Sequence, residues 1–306
     1  MFSNNFVVVE DKFLQPSYRI SPFRTQDVSG NRNLPKCSSI DTFLAERFGD
    51  DCFTYTRSGR AALNKALSFL DLRPNDVVTI LTTSGNYYIS GCVTSEIEKY
   101  CGWSRQFEKN TKVILVNHEF GFPYEGLLGL KGYGLPIIED CAHSFFSQNS
   151  DNSVGAVGDY VVYSLPKFFP LQFGGLLRTS RFHTGEELLE AELAYIKAVL
   201  SSHVESIEQI KLKRVSNWKY LEEKLSKMGF EARFRLEPYH CPGVYMFTAP
   251  GVDLNGLKAF MQYHGVECSV FYGEESFFIP VHQNLDLGDL DYICLLIEVF
   301  LQGEGK

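Results

Sequence analysis

From residue 58 onward the apolar positions alternate between two spacings. In RAALNKALSFL, residues 60–70, Leu63, Ala66, Leu67 and Leu70 recur at three- and four-residue intervals, and Ser58-Gly59 directly before them marks a helix start. VVTIL (77–81), KVILVN (112–117), LPIIED (135–140) and YVVYS (160–164) are instead short runs of β-branched and aromatic residues, the pattern of strands covered on both faces. Helical and loop segments separate several of these runs, so the pattern predicts an α/β architecture around a mostly parallel sheet.

The pattern changes after residue 185. Residues 185–228 are charged and helical in period, with neither Gly nor Pro after Gly185, and read as one long helix or two joined ones. YMFTAP and VECSVF then read as strands, and LNGLKAFMQYHG and LDYICLLIEVFLQ as helices. The expected organisation is a large α/β domain over residues 1–185 and linking helices with a small α+β domain over 186–306.

Composition narrows the class. With 22% charged and 44% hydrophobic residues the chain is ordinary for a globular protein, and a net charge of -8 speaks against a nucleic-acid partner. KLKR at 211–214 lies in a Glu-rich helical stretch and reads as a solvated face. Eight cysteines form no CxxC pair, and no signal peptide opens the sequence, so reduced and mostly buried thiols in a cytoplasmic protein are expected. No apolar run reaches the length that spans a bilayer, so no membrane partner is expected.

The chemistry centres on VVYSLPKFFPLQFGGLL, residues 161–177. Lys167 stands there among Val161, Val162, Phe168, Phe169, Leu171 and Phe173; loss of hydration favours a neutral, nucleophilic amine, unless the stem lies along the apolar surface with its head in water. LPIIED ends in acidic residues, and ligands of parallel sheets gather at the carboxyl ends of strands, which makes Asp140 and the nearby His143 candidates. Taken singly, Asp140 could be a loop cap and His143 a core histidine. Ser58-Gly59 at a helix start offers backbone N–H groups and a dipole to an anion, or is an ordinary N-cap. Ser164 adds a hydroxyl shortly before Lys167. Phosphate cradle, carboxylate, imidazole, hydroxyl and lysine together match the needs of pyridoxal phosphate.

In chain order, SGRAAL, NDVVTI, GFP, IIEDCAHSF, GDYVVYSLPKFFPLQFGG and FFIPVHQNL resemble the DegT/DnrJ/EryC1/StrS family of pyridoxal-phosphate-dependent aminotransferases, which act mainly on nucleotide-linked keto sugars. The resemblance runs from about residue 50 to the C-terminus and implies the type I transferase fold with a smaller C-terminal domain. It implies that Lys167 carries the cofactor, Asp140 pairs with the pyridine nitrogen and His143 contacts the ring region. It further implies that Ser58, Gly59 and Ser164 bind the phosphate, and that Tyr87 or Tyr88 stacks on the ring. An amino donor, glutamate foremost, a keto-sugar acceptor and a homodimer are implied partners.

Three departures mark a compact member. Lys167 follows Ser164 by three residues where many members have five, although its spacing to Gly174-Gly175 fits. Arg60 stands where threonine is usual, and the asparagine-bearing block that reaches a phosphate across the dimer interface is not found, which makes Arg60 its candidate replacement. The shortening supports an alternative, a cofactor-binding sensor or scaffold with a decayed site; the presence of Lys167, Asp140 and His143 together opposes it. A dehydratase of the same fold would have histidine where Lys167 stands. Phe122, Tyr124 and His282 complete the inventory that could meet a sugar.

Overall fold

All four short apolar runs form strands, and the helices around them supply the cover that their two-sided apolar character requires. The structure is a computed structural model describing residues 16–50, 52–180 and 188–303. It divides into two units: Phe23–Ile207 with Pro238–Cys241, and Met1–Pro22, Glu208–Glu237 and Pro242–Lys306. The boundary expected between residues 185 and 186 lies outside the described residues.

The larger unit contains α1 (Asp27–Arg32), α2 (Ser39–Phe48), β1 (Phe53–Thr56), α3 (Gly59–Ser68), β2 (Val77–Thr82), α4 (Gly91–Ile97) and β3 (Gly102–Ser104). It continues through β4 (Thr111–Asn117), β5 (Ile137–Asp140), β6 (Tyr160–Ser164), β7 (Gly175–Thr179) and α5 (Glu190–Ser201). Seven strands form one sheet in the order β1-β7-β6-β5-β4-β2-β3. The strands from β3 through β6 are mutually parallel, whereas β7 runs antiparallel to both β6 and β1.

Alternation along β4 shows how the sheet is covered. Val113 and Leu115 pack with Ala62, Leu63, Ala66 and Leu67 of α3, the face expected from its spacing. Ile114 and Val116 point the other way and pack with Leu127, Leu130 and Val157. All four β4 residues are fully buried, and each such side chain contributes about 1.5–3 kcal/mol relative to exposure.

The second unit contains α6 (Ile207–Ser226), β8 (Glu231–Ala232), β9 (Val244–Thr248), α7 (Leu254–Tyr263), β10 (Ser269–Phe271), β11 (Ser276–Pro280) and α8 (Leu287–Leu301). Its sheet is antiparallel, ordered β10-β11-β9-β8. Asp253 and Asp286 cap α7 and α8 by accepting from Gly256 N and Asp289 N. Among the described residues the helical stretch is two helices, α5 and α6, with a 3-10 turn at Val204–Ser206 between them.

KLKR is not the solvated face that its charge suggests. Arg214 is fully buried, donating through Nε to Gln283 Oε1 at 2.8 Å and through Nη1 to Pro242 O at 3.2 Å, while Leu212 beside it is exposed. The helical period turns residue 214 inward, and a guanidinium can enter a core when its donors find oxygens. All eight cysteines are unpaired, five of them buried. Among the described residues no helix is long and apolar enough to cross a membrane.

Candidate active site

Register brings the polar ends of the central strands side by side. Thr82 of β2 lies opposite Asn117 of β4, and Asn117 opposite Asp140 of β5. These residues end parallel strands, where backbone groups leave the ladder and side chains can converge on a ligand. Asp140 is buried; its Oδ2 accepts from Asn117 Nδ2 at 2.9 Å and its Oδ1 from Ala142 N at 3.0 Å. Burial pushes its carboxyl above the ordinary aspartate range, and the two hydrogen bonds offset only part of that effect.

Glu139, one residue earlier, faces the opposite side of β5 and serves the fold. Its Oε1 accepts from Val157 N at 3.0 Å and Gly158 N at 2.5 Å, and its Oε2 from Gly155 N at 2.7 Å and His118 Nε2 at 3.2 Å. His118 Nδ1 accepts from Tyr124 N at 3.1 Å, so the ring proton sits on Nε2. With Cys141 these groups lie within 4.8 Å of one another, a metal-like set. The hydrogen bonds, however, engage the histidine nitrogens and both carboxylate oxygens, and the set ties β5 to the loop before β6.

A second convergence joins β1, β6 and β7. Ser58 bridges Gly174, Gly174 N donates to Arg57 O at 2.9 Å, and Gly174 adopts φ +129°, a conformation suited to glycine. At Gly175 a Cβ would lie 2.3 Å from the Ser58 carbonyl carbon, and at Gly59 it would lie 3.1 Å from Ser164 Cβ. The start of α3 is thereby set directly against the end of β6. Ser58 Oγ accepts from Ala61 N at 3.1 Å as the N-cap, which leaves its own O–H proton to donate elsewhere.

Lys167 ends a single 3-10 turn, Leu165–Lys167, immediately after β6 and is half-buried. Its neighbours explain the apolar run: Phe168 and Phe169 are fully buried against Phe145 and Phe146, with the 146–168 and 145–169 ring pairs at 5.2 and 5.5 Å. Aromatic packing thus docks the lysine segment on the segment that follows Asp140 and His143. His143 is half-buried with its ring 5.1 Å from that of Phe120. Phe120 holds the left-handed conformation at φ +52°, enforced by Phe122 N donating to Glu119 O and Ser147 Oγ to Gly121 O.

Tyr87 and Tyr88 lie on the loop after β2, with relative exposures of 71% and 36%. Arg60 is the outlier of the expected set: its Nη2 lies 2.7 Å from Cys92 Sγ and its Nε 4.0 Å from Glu96 Oε1, so its guanidinium is directed at α4. His282, considered for a sugar contact, is buried in the second unit, where its Nδ1 accepts from Asn284 N. Phe122 is buried and Tyr124 half-buried. Sequence reasoning missed Asn117 and the close approach at Gly175. The asparagine had a signal, a polar amide ending an otherwise apolar strand one register step from LPIIED.

The model of the DegT/DnrJ/EryC1/StrS aminotransferase family matches residues 104–173, bearing out the family resemblance over the stretch that holds Asp140, His143, Ser164 and Lys167. A UDP-N-acetyl-3-dehydro-alpha-D-glucosamine 3-aminotransferase of Acidithiobacillus ferrooxidans is 30% identical over 129 residues, 37% of this chain and 34% of that protein. The match therefore spans about a third of the curated relative. The aminotransferase TlmJ of Streptoalloteichus hindustanus superposes with a TM-score of 0.72 at 14% identity, covering 96% of this chain and all of that one. A sugar aminotransferase of Streptococcus pneumoniae, solved in its PMP form, gives 0.68 at 13% identity over 97% of this chain and 100% of that one. The fold is that of the type I pyridoxal-phosphate transferases, as expected.

Proposed function

We propose that this chain is a pyridoxal-phosphate-dependent aminotransferase that moves an amino group from glutamate to a nucleotide-linked keto sugar. The observation that carries the reading is the meeting of Ser58-Gly59 with Ser164, three residues before Lys167, on a sheet whose adjacent strand end holds the Asn117–Asp140 pair.

The residues fit the cofactor on two counts. Gly59 and Gly175 permit backbone approaches that a Cβ would obstruct, so a phosphate bound there would meet helix N–H groups and the hydroxyls of Ser58 and Ser164. Asp140 is buried with neutral donors and a raised carboxyl pKa, and a cationic ring N–H is the partner that would restore its ionisation.

Bound pyridoxal phosphate supplies an electron sink that makes the C–H bond beside a substrate nitrogen acidic. Asp140 Oδ holds the proton on the ring nitrogen, and Asn117 Nδ2 and Ala142 N fix the plane of that carboxylate. Lys167 Nζ would move a proton between the substrate carbon and the cofactor, acting as base toward the one and acid toward the other, and would run the same transfer in the opposite direction in the second half-reaction. His143, with its ring against that of Phe120, would flank the bound ring, and Tyr87 or Tyr88 would stack on it. Arg60, engaged with Cys92 Sγ, would have to leave it to serve a phosphate at the start of α3.

The match to a 3-aminotransferase of a UDP-linked 3-keto sugar supports the acceptor class and puts 3-keto sugars first. A cytoplasmic homodimer completes the reading, supported by the eight unpaired cysteines and by the prevalence of two-fold oligomers. Borohydride treatment of cofactor-loaded protein and peptide mapping should find the label on Lys167. Incubation with nucleotide 3-keto and 4-keto sugars and glutamate should yield amino sugar and 2-oxoglutarate by mass spectrometry. Label on another lysine refutes the site, amination of simple keto acids alone refutes the acceptor class, and cofactor binding without amination favours the sensor.

A further inference from the structure

The loop after β2, residues 83–90, carries both tyrosines and is held at several of its polar groups. From one side, Glu119 Oε2 accepts from Ser84 N at 2.6 Å, and Thr83 Oγ1 donates to Phe122 O at 2.6 Å while accepting from Glu119 N at 3.0 Å. From the other side comes Arg105, just beyond the edge strand β3. Its Nη1 donates to Ile80 O, and its Nη2 donates to Thr82 Oγ1 at 2.9 Å and to Asn86 O at 2.6 Å. Asn86 then passes the constraint on, its Oδ1 accepting from Tyr88 N at 2.9 Å. The hydrogen-bond acceptors of Arg105 are all neutral oxygens of β2 and the loop, and Glu119 acts on the guanidinium only at longer range.

We propose that Arg105 is a positioning residue that fastens the tyrosine-bearing loop to the end of β2 and so sets the aromatic platform over the cofactor ring. The proposal rests on the cofactor reading above. One planar guanidinium spans three acceptors on two backbone segments, a geometry that a lysine ammonium on its flexible stem does not reproduce. Charge-assisted bonds of this kind are the strong ones, and losing them frees the loop while leaving the parallel ladder of β2 with β4 intact. Phe120 and His143 bound the same region from the Glu119 side, so a displaced loop changes where an aromatic ring can lie opposite His143.

The test compares the full chain with Arg105→Gln and Arg105→Lys in two measurements. Hydrogen–deuterium exchange of the protein without cofactor should show amides 84–88 exchanging about tenfold faster or more in both variants, with the β4 amides unchanged. Added pyridoxal phosphate should bind about tenfold more weakly to both, and the visible circular dichroism of what does bind should fall, since that signal reports ring stacking. Should Arg105→Gln fail to fold, Arg105→Lys carries the test. Unchanged exchange at 84–88 overturns the fastening role, and a loosened loop with unchanged affinity and dichroism overturns the platform role. Failure of the unsubstituted chain to bind pyridoxal phosphate refutes the cofactor reading itself and takes the platform role with it.

Discussion

Gly175→Ala tests the steric logic of the proposed phosphate cradle. The added Cβ would lie 2.3 Å from Ser58 C, 2.4 Å from Ser58 O and 2.6 Å from Thr56 Oγ1. Carbon atoms rest at about 3.5–4.0 Å, so relief requires a movement of roughly 1 Å, and two of the three obstacles are backbone atoms. Thr56 is paired with Gly175 across the β1–β7 ladder, and Ser58 O accepts from Thr56 Oγ1 at 2.9 Å and from Ala62 N at 3.0 Å. Moving β1 away therefore strains a strand pair, a side-chain bond and the first turn of α3 together. Overpacking costs about 1–3 kcal/mol and each weakened hydrogen bond about 1 kcal/mol, for a total near 3 kcal/mol. That corresponds to a Tm fall on the order of 10 °C. Thermal unfolding followed by circular dichroism should be compared with Gly30→Ala, where a Cβ in α1 meets nothing within 4 Å and substitution should leave Tm unchanged or raise it. If Gly175→Ala melts with the unsubstituted protein, the close approach is not a constraint and the cradle argument fails.

Three further outcomes are expected. Asp140 titrates above its unfolded value, so its favourable contribution is complete below the ordinary aspartate range and is lost as pH rises through the raised folded value. Asp140→Asn should accordingly flatten the pH dependence of Tm in cofactor-free protein over the mildly acidic range, and an unchanged slope assigns that dependence to another group. Glu139→Gln sets an amide N–H₂ against N–H donors in a fully buried site and should destabilise by about 2–4 kcal/mol in urea unfolding, whereas near-wild-type stability contradicts the four-bond network. Asn117→Ala should weaken pyridoxal phosphate binding about threefold to tenfold by freeing the Asp140 carboxylate to rotate, measured by spectroscopic titration; equal affinity removes Asn117 from the site.

The sheet centre was legible because β2, β4, β5 and β6 are buried on both faces and leave continuous apolar runs. α3, α7 and α8 were legible from their 3.6-residue period. β1 and β7 gave no such signal: FTYT is short and half covered, and GLLRT follows a glycine pair that reads as loop until its antiparallel partners are known. Arg214 was misread for a related reason, since charge locates a residue only when the acceptors it meets are known. The candidate site divides in the same way. Asp140 and Lys167 stood out as polar residues in apolar settings, but Asn117, Gly175 and Arg105 matter through partners distant in sequence, and the direction of Arg60 depends on α4. The roles given to Tyr87 and Tyr88 came from family resemblance, and their exposure alone would not have suggested them.

The strand order also fixes a sequence of events during synthesis. β1 is the first strand of the large sheet to leave the ribosome, yet its neighbour in that sheet is β7, the last strand made. At roughly 5–20 residues per second the edge strand waits on the order of 10 s, with Ser58 lacking the bridge to Gly174. A nascent chain that already displays Asp140 and Lys167 thus still lacks the completed turn at Ser58, because closing so long a loop comes late in folding. If the proposed site holds the cofactor, its acquisition becomes a checkpoint on completion: a chain truncated before β7 would hold the lysine and carboxylate but have no formed place for the phosphate.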